Sequence, residues 1–327
     1  MSIDDINKQM KKTCIAVVVP AFKVSNQILN TIKSIGPEVD HIIVVDDSCP
    51  DGSGKIVRTN SFDPRVEVLF HDSNLGVGGA MKTGYQRAKD LQADIVVKID
   101  GDGQMDSSKI PEMVSHILVG EADYVKGNRF FDIETVRSMP KMRILGNLAL
   151  SFFAKFSTGY WRIFDPNNGF TAISSTALSR IQLSKIDNRY FFESDMLFRL
   201  NLARAVVIDS PMPARYGAER SNLKIRRVLF EFPLKHLRNF MKRVAYTYYL
   251  RDFTLASLEL PIGVILTSFG FTFGLLNFEA SREINQATAP GTLILISMCV
   301  LVGIQLILSF FSYDIDSSPI KPITKRR

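Results

Sequence analysis

Two carboxylates separated by a single glycine close an apolar run. Residues 95–104 read IVVKIDGDGQ, with Asp100 and Asp102 just beyond a stretch of strand type. A strand delivers its last side chains to the edge of a sheet, where open α/β folds bind ligands. Spaced two apart, both carboxylates can reach one ion or ligand across the turn, and Gly101 and Gly103 leave the backbone bare for close approach. Such a pair repels itself unless a cation lies between its members. Oxygen ligands with partial hydration suit Mg2+ or Mn2+, and that metal would carry a diphosphate. The plainer alternative is a polar D-G turn after a strand.

Other chemistry-bearing residues recur at the ends of apolar runs. Asp46 and Asp47 end the run at 41–47, placed either to accept hydrogen bonds from a nucleobase or ribose or to hold an Asx-type turn before a helix. Residues 74–79, NLGVGG, resemble a dinucleotide-binding glycine loop, but follow the third strand rather than the first, which argues against a nicotinamide dehydrogenase. These glycines would allow close packing and offer helix N-terminal amides to an anion. Arg129, in KGNRF, could clamp a phosphate. Asp165, in DPNNGF, suits sugar hydroxyls or a turn, and Glu193, in FESDM, begins a helix where carboxylates are favoured. No Walker A loop, zinc ligand set or Ser/Cys nucleophile signature is present, and the four histidines are isolated. Cys14, Cys49 and Cys299 have no paired spacing, which fits a reducing compartment.

The first ~220 residues, a length consistent with one domain, alternate strand-like and helix-like stretches. Strands are expected at 14–20, 41–47, 66–70 and 94–99, with weaker candidates at 122–126, 169–174 and 205–209. Helices are expected at 25–35, after the DSCPDGSG loop, and at 79–91. This pattern predicts a mostly parallel α/β sheet flanked by helices.

Beyond residue 222 the character changes. Residues 223–253 mix basic residues with Phe, Leu, Tyr and Val. Leu229, Phe232, Leu237, Phe240 and Val244 share a helical face, and Pro233 is expected to divide the segment into two helices. Basic amphipathic helices of this kind lie in membrane interfaces. Residues at about 260–278 and 292–311 form two uncharged apolar runs, each long enough to span a bilayer, joined by a polar stretch at 279–291. Eight Lys and Arg residues between 224 and 251 precede the first run, and Lys321, Lys325, Arg326 and Arg327 follow the second. The positive-inside rule places both termini and the N-terminal region in the cytoplasm, at the cell (inner) membrane. The apolar run at 15–19 is too short for a signal-peptide core. The expected organisation is a domain at 1–222, basic interface helices at 223–256, a transmembrane hairpin at 257–313 and a basic tail at 314–327.

In order, VVVPAF, VVDDSCPDGS, NLGVGGAMKTG, KIDGDGQMDS, KGNRF and DPNNGF resemble the successive motifs of the family 2 glycosyltransferases, in particular the polyprenyl-phosphate glycosyltransferases. The resemblance spans residues 14 to about 224, and the two-span tail is similar to that of the membrane-anchored subgroup. It implies a GT-A fold, a nucleotide-sugar donor (UDP- or GDP-linked) and Mg2+ or Mn2+. Carried over, Pro20, Ala21 and Phe22 would line the nucleotide site, with Asp47 or Asp46 on the base. Asp100 and Asp102 would hold metal and diphosphate, with Gln104 beside them near the sugar. Arg129 would lie near the acceptor phosphate, as would Arg143, Asn147, Arg215, Arg220 and Lys224. The family's usual P-x-Y-N-E opening is PAFKV here, so Lys23 and Val24 stand where the acidic base contact would be, and Asn147 replaces a hydroxyl residue.

The resemblance implies an inverting hexosyltransferase that moves a sugar from a nucleotide-sugar to undecaprenyl or dolichyl phosphate. Asp102, Asp165, Glu193 and Arg129 are the candidate catalytic residues. Self-association is left open, and no nucleic-acid partner is expected. A processive polysaccharide synthase would need more spans and a Q-x-x-R-W motif, which the lone Trp161 does not supply. A non-catalytic nucleotide-sugar binding protein is the other rival, against which the intact D-G-D argues.

Overall fold

The computed structural model describes residues 3–131, 141–212 and 225–325. It divides into two compact units, Met1–Phe240 with Pro319–Arg327, and Met241–Ser318.

The first unit is built on seven strands: β1 (Ile15–Ala21), β2 (His41–Asp46), β3 (Val66–Phe70), β4 (Ile95–Lys98), β5 (Tyr124–Asn128), β6 (Thr171–Ser174) and β7 (Val207–Pro211). Their order is β3-β2-β1-β4-β6-β5-β7. Only β6 runs antiparallel to its neighbours, β4 and β5. The apolar run of β1 is continuous because both faces are covered. Ile15, Val17 and Val19 enter one core, while Ala16 and Val18 enter the other. The first core packs α2 (Ile28–Ser34), α3 (Ser53–Asn60) and α5 (Ile110–Leu118) against the sheet through Ile28, Ile32, Val57, Ile110 and Val114. The second packs α4 (Val77–Asp90), α7 (Ser175–Ser179) and α8 (Phe192–Leu202) through Met81, Tyr85, Leu178, Phe192 and Met196. Each such buried aliphatic or aromatic side chain contributes roughly 1.5–3 kcal/mol. A short helix, α1 (Ile3–Met10), precedes the sheet, and α6 (Lys141–Thr158) lies between β5 and β6 in the chain.

The helix α9 (Ile225–Ala245) differs from expectation in two ways. Pro233 lies inside it and does not divide it. Proline removes one backbone donor and crowds one carbonyl, which kinks a helix more often than it ends one when the flanking turns are held by packing. Here Phe232 packs edge-on against Phe191, His236 bonds Ser157 at 2.7 Å, and Asn239 donates to Asp195 at 3.0 Å. The buried face is therefore Phe232, His236 and Asn239. Leu237, expected among the apolar contacts, is 57% exposed, and Leu234 is exposed beside it. Burial pushes the His236 imidazole down to about 4, so it is neutral at pH 7.

The C-terminal residues, expected as a basic tail, are tied to the first unit. Ile323 is buried, and its N–H donates to the Asp123 carboxylate at 2.9 Å. That fully buried carboxylate also accepts from the Val206 N–H at 2.8 Å. The chain thus leaves the first unit after Phe240 and returns to it at Pro319.

In the second unit, α10 (Leu255–Glu283) and α11 (Pro290–Asp316) form an antiparallel hairpin. At about 1.5 Å per residue each is about 40 Å long, the full thickness of a bilayer with its headgroups. The polar connection is shorter than expected, because α10 continues through Glu279 and Glu283. Small residues allow the helices to approach: a Cβ at Gly263 would lie 2.8 Å from the Gly303 carbonyl oxygen. Arg243 forks onto Asp314 at 2.6 and 2.9 Å, and Tyr248 donates to the same carboxylate at 2.6 Å. Only 11% of each apolar window is buried, so the outward faces of both helices are uncovered.

Candidate active site

The strand order reverses between β1 and β4: β2 and β3 follow β1 on one side, whereas β4 lies on the other. Ligands of open α/β sheets bind at the C-terminal ends of strands at such a switch point. Both elements singled out from the sequence meet there. Pro20, half-buried, Ala21, buried, and Phe22, 38% exposed, close β1. The D-G-D turn closes β4, and a Cβ on Gly101 would sit 3.4 Å from the Pro20 carbonyl oxygen. Asp102 accepts the Gln104 N–H at 3.0 Å, which rounds the turn; Gln104 is half-buried.

A lateral row of the sheet supports this edge. Lys98 pairs with Thr171, Thr171 with Lys126, and Lys126 with Asp209, across β4, β6, β5 and β7. Lys98 is 1% exposed, and its ammonium lies 2.8 Å from Asp100 Oδ1 and 3.3 Å from Glu193 Oε1. Burial alone would depress this lysine, but Asp100 and Glu193 outweigh it and raise its pKa, so Lys98 stays charged. Glu193 is in the first turn of α8. Lys126 is fully buried and donates to the Asn168 carbonyl. Burial pulls it down to about 8, against the attraction of Glu193 and Asp165. Asp209, at the far end of the row, is pushed up to about 6 by burial, although Phe164 N–H and Asn128 Nδ2 both donate to it.

Arg129 and Asp165, named separately from the sequence, form one bidentate pair. Nε donates to Oδ2 at 2.8 Å and Nη2 to Oδ1 at 3.0 Å. The carboxylate is 2% exposed and the arginine 24%, so Asp165 fixes the plane of a guanidinium that still reaches solvent. Asn147 is half-buried on α6. The side chain of Arg143, and Arg215, Arg220 and Lys224 altogether, lie outside the described residues.

The second strand end is organised differently from its first reading. Asp46 accepts the Cys49 and Gly54 N–H groups at 2.7 and 2.6 Å. Asp47 accepts Leu75 and Gly76 N–H groups at 2.8 and 2.7 Å, and His71 Nδ1 lies 2.8 Å from it. Both carboxylates are 3% exposed; Asp46 holds the local turn before α3, as in the Asx-turn alternative, whereas Asp47 ties down the distant loop ahead of α4. The glycine loop is likewise committed inward. The Gly79 N–H donates to the Asn188 carbonyl at 3.0 Å, and a Cβ on Gly76 (φ 91°) would lie 2.6 Å from that oxygen. The glycines do permit close packing, but the amides of Leu75, Gly76 and Gly79 answer the chain's own Asp47 carboxylate and Asn188 carbonyl.

A divalent cation fits the D-G-D turn. Mg2+ and Mn2+ need only one or two carboxylates when substrate phosphates complete the shell. A cluster of three or more His, Cys, Asp or Glu is absent among the described residues. The Asp102 carboxylate, half-buried on a glycine-flanked turn, is the accessible donor, and Asp100 stands behind it against Lys98.

Residues 16–182, just over half of the chain, match the model of glycosyl transferase family 2. The chain belongs to glycosyl transferase family 2. It is similar to the UDP-N-acetylglucosamine–dolichyl-phosphate N-acetylglucosaminyltransferase of Methanococcus voltae, 31% identical over 195 residues, 55% of this chain and 77% of that one. The undecaprenyl-phosphate mannosyltransferase of Micrococcus luteus is 29% identical over 186 residues, 56% and 75% of the two chains. Glucosyl-3-phosphoglycerate synthase of Mycobacterium tuberculosis, solved with Mn2+, UDP and glucosyl-3-phosphoglycerate, superposes with a TM-score of 0.55 at 20% identity, over 74% of this chain and 84% of that one. This last likeness is one of fold, and the first unit is GT-A-like. As a family 2 member the chain is a glycosyltransferase.

In this glycosyltransferase the buried lysines Lys98 and Lys126 escaped the sequence reading, although a signal was present. A lysine inside an apolar strand run, as in IVVKI and DYVKG, is almost never buried without a partner. Gly169, expected at the start of a strand and in the DPNNGF motif, carries no sequence signal of its contact with the Lys98–Asp100 pair. A Cβ there would strike the Lys98 ammonium and come within 2.5 Å of Asp100 Oδ2. Gly169→Ala is therefore expected to displace both groups, cost about 1–3 kcal/mol and lower kcat/KM about 100-fold or more; a steady-state assay beside a thermal melt would show both.

Proposed function

We propose that this glycosyltransferase moves a hexose from a nucleotide-sugar, a UDP-sugar such as UDP-glucose in preference to a GDP-sugar, to polyprenyl phosphate at a membrane surface. The observation that carries the reading is the D-G-D turn at the switch point, beside the end of β1 and backed by the Lys98–Glu193 pair. The acceptor is supported by the relatives, whose names specify dolichyl- or undecaprenyl-phosphate as substrate, and UDP by the Methanococcus voltae relative. The two long apolar helices with uncovered faces support a membrane anchor. The flanking positive charge supports a cytoplasmic first unit.

The phosphate acceptor is already an anionic nucleophile near neutral pH, so its oxygen attacks the anomeric carbon without a strong general base. The nucleoside diphosphate leaves from the opposite face, with inversion. Rate then comes from in-line positioning and charge neutralisation. Asp102, with Asp100 behind it, would hold Mg2+ or Mn2+, which supplies Lewis acidity at the leaving diphosphate. Phe22, exposed just beyond the end of β1, and Pro20 and Ala21 before it are assigned to the nucleoside. Asp165 holds Arg129 ready for an anion, and Arg143, Asn147, Arg215, Arg220 and Lys224 are assigned to the acceptor phosphate and the closing of the site.

A panel of UDP- and GDP-sugars, each with and without undecaprenyl or dolichyl phosphate, tests this by release of nucleoside diphosphate. The expected result is release from a UDP-hexose that rises at least 100-fold on adding the lipid phosphate. Release that ignores the lipid, or a polymeric product, contradicts it.

A further inference from the structure

No motif marks Asp209. It stands on β7, the last strand of the sheet, at the end of the row that begins with Lys98. The two hydrogen bonds that described residues make to its carboxylate converge on one oxygen. The Phe164 N–H donates to Oδ2 at 3.0 Å, and Asn128 Nδ2 donates to it at 2.9 Å. Phe164 precedes Asp165 and Asn128 precedes Arg129, so a single oxygen grips the residue before each member of the bidentate pair. Other bonds tie the same segments together. Asn128 Oδ1 accepts the Phe130 N–H at 2.8 Å, and the rings of Phe130 and Phe164 meet edge-on at 5.2 Å. On α6, one turn beyond Asn147, Ser151 Oγ donates to the Phe164 carbonyl at 2.7 Å. The other oxygen, Asp209 Oδ1, is buried and has no hydrogen-bond partner among the described residues.

We propose that Asp209 is a positioning residue for the acceptor phosphate, its Oδ2 keeping Arg129 and Asp165 in register by holding the residue that precedes each. Without that oxygen the Phe164 N–H and the buried Asn128 amide lose their acceptor, and the two segments are free to slip. A misplacement of about 1 Å can cost about 100-fold in rate. The task needs an acceptor oxygen and not a charge. Burial pushes the Asp209 carboxyl up to about 6, so the interior works against its ionisation, and a proton on Oδ1 would leave both bonds to Oδ2 in place. An asparagine can do the same work through its carbonyl oxygen, whereas an alanine cannot. The donor end of the row is held separately, by Lys98 with Asp100 and Glu193. The inference rests on the assignment of Arg129 to the acceptor phosphate.

The test is initial rates of the full-length protein in detergent, with undecaprenyl phosphate varied at saturating UDP-hexose and Mn2+, beside calorimetric titration with UDP. Asp209→Ala should lower kcat/KM for the lipid phosphate about 30-fold or more, with UDP affinity within about threefold of the wild type. Asp209→Asn should stay within about fivefold of the wild type in both. Should Asp209→Ala fail to fold, Asn128→Ala decides the matter, since it removes one of the two bonds and keeps the carboxylate; it should lose about fivefold or more in kcat/KM for the lipid phosphate and nothing in UDP affinity. An unchanged kcat/KM for the lipid phosphate in the variant that folds overturns the inference. So does an equal loss in Asp209→Asn, which would make the charge the working element, or a parallel loss of UDP affinity, which would make Asp209 a general support of the fold. A wild type that transfers only to another phosphate contradicts the proposed acceptor alone, and the same comparison with that phosphate still decides the role of Asp209.

Discussion

Asp102→Asn lowers kcat by about 1,000-fold or more and leaves the fold intact. The size follows from what the carboxylate does: a metal's stabilisation of a departing diphosphate is worth several kcal/mol, and losing a single charge-stabilising group at a transition state typically costs about 10²–10³-fold. The fold is expected to survive because the substitution keeps the size of a half-buried turn side chain. Asp102 accepts the Gln104 N–H at 3.0 Å, and an asparagine carbonyl oxygen can accept the same bond. Turnover per molecule and the thermal transition, measured on one preparation, should show a large loss in the first and a shift within about 2 °C in the second. Wild-type turnover in this variant would remove the metal edge from the D-G-D turn.

The Arg129–Asp165 pair carries the second large effect, and its two halves should behave unequally. Removing the arginine as Arg129→Met strands a carboxylate that is 2% exposed; among the described residues its remaining side-chain hydrogen bond is a long 3.4 Å contact from the backbone N–H of residue 129. An uncompensated buried charge of this kind costs about 3–5 kcal/mol. Asp165→Asn instead leaves a guanidinium that is 24% exposed and can take up water, so its cost should be nearer 1–2 kcal/mol, in the range of a lost hydrogen bond to a charged group. The single tryptophan, Trp161, packs edge-on against Phe156 at 4.9 Å within the same unit, so its fluorescence during urea unfolding reports this difference. Equal losses from the two variants would mean that the pair is not the buried anchor its geometry implies. Both variants should also lose acceptor affinity, since each disturbs the plane in which the guanidinium is held.

Much of the sheet is legible in the residues. Long Val/Ile runs with no polar alternation mark β1, β2 and β4 as strands covered on both faces, and VEVLF at 66–70 coincides with β3. The two apolar helices are plain from length alone. What the pattern does not reveal is order. β6 inserts antiparallel between β4 and β5, and this places Gly169 of the DPNNGF turn against Lys98, some 70 residues earlier. Local periodicity carries no information about such a meeting. The same limit explains Asp46 and Asp47. Their position at a strand end suggests a ligand, but their partners are amides of nearby loops, and loop geometry decides that outcome. In α9 the helical face was judged by apolarity, whereas the unit holds it through His236, Asn239 and Phe232. Polar anchoring of this sort depends on Ser157 and Asp195, neither of which is a sequence neighbour. Pro233 shows the corresponding rule for backbone: a proline weakens a helix by a fixed local amount, and tertiary contacts on either side can outweigh it.

The most direct measurement of the central claim is transfer of labelled sugar to lipid. Full-length protein in detergent or vesicles is given a radiolabelled UDP-hexose, undecaprenyl phosphate and Mn2+, and the product is extracted into organic solvent. The account predicts a single hexose joined to the lipid phosphate, with inverted anomeric configuration, formed in a metal-dependent manner and absent with Asp102→Asn. Label that remains in the aqueous phase as free sugar or polymer, with every donor active in the UDP and GDP panel, would contradict it.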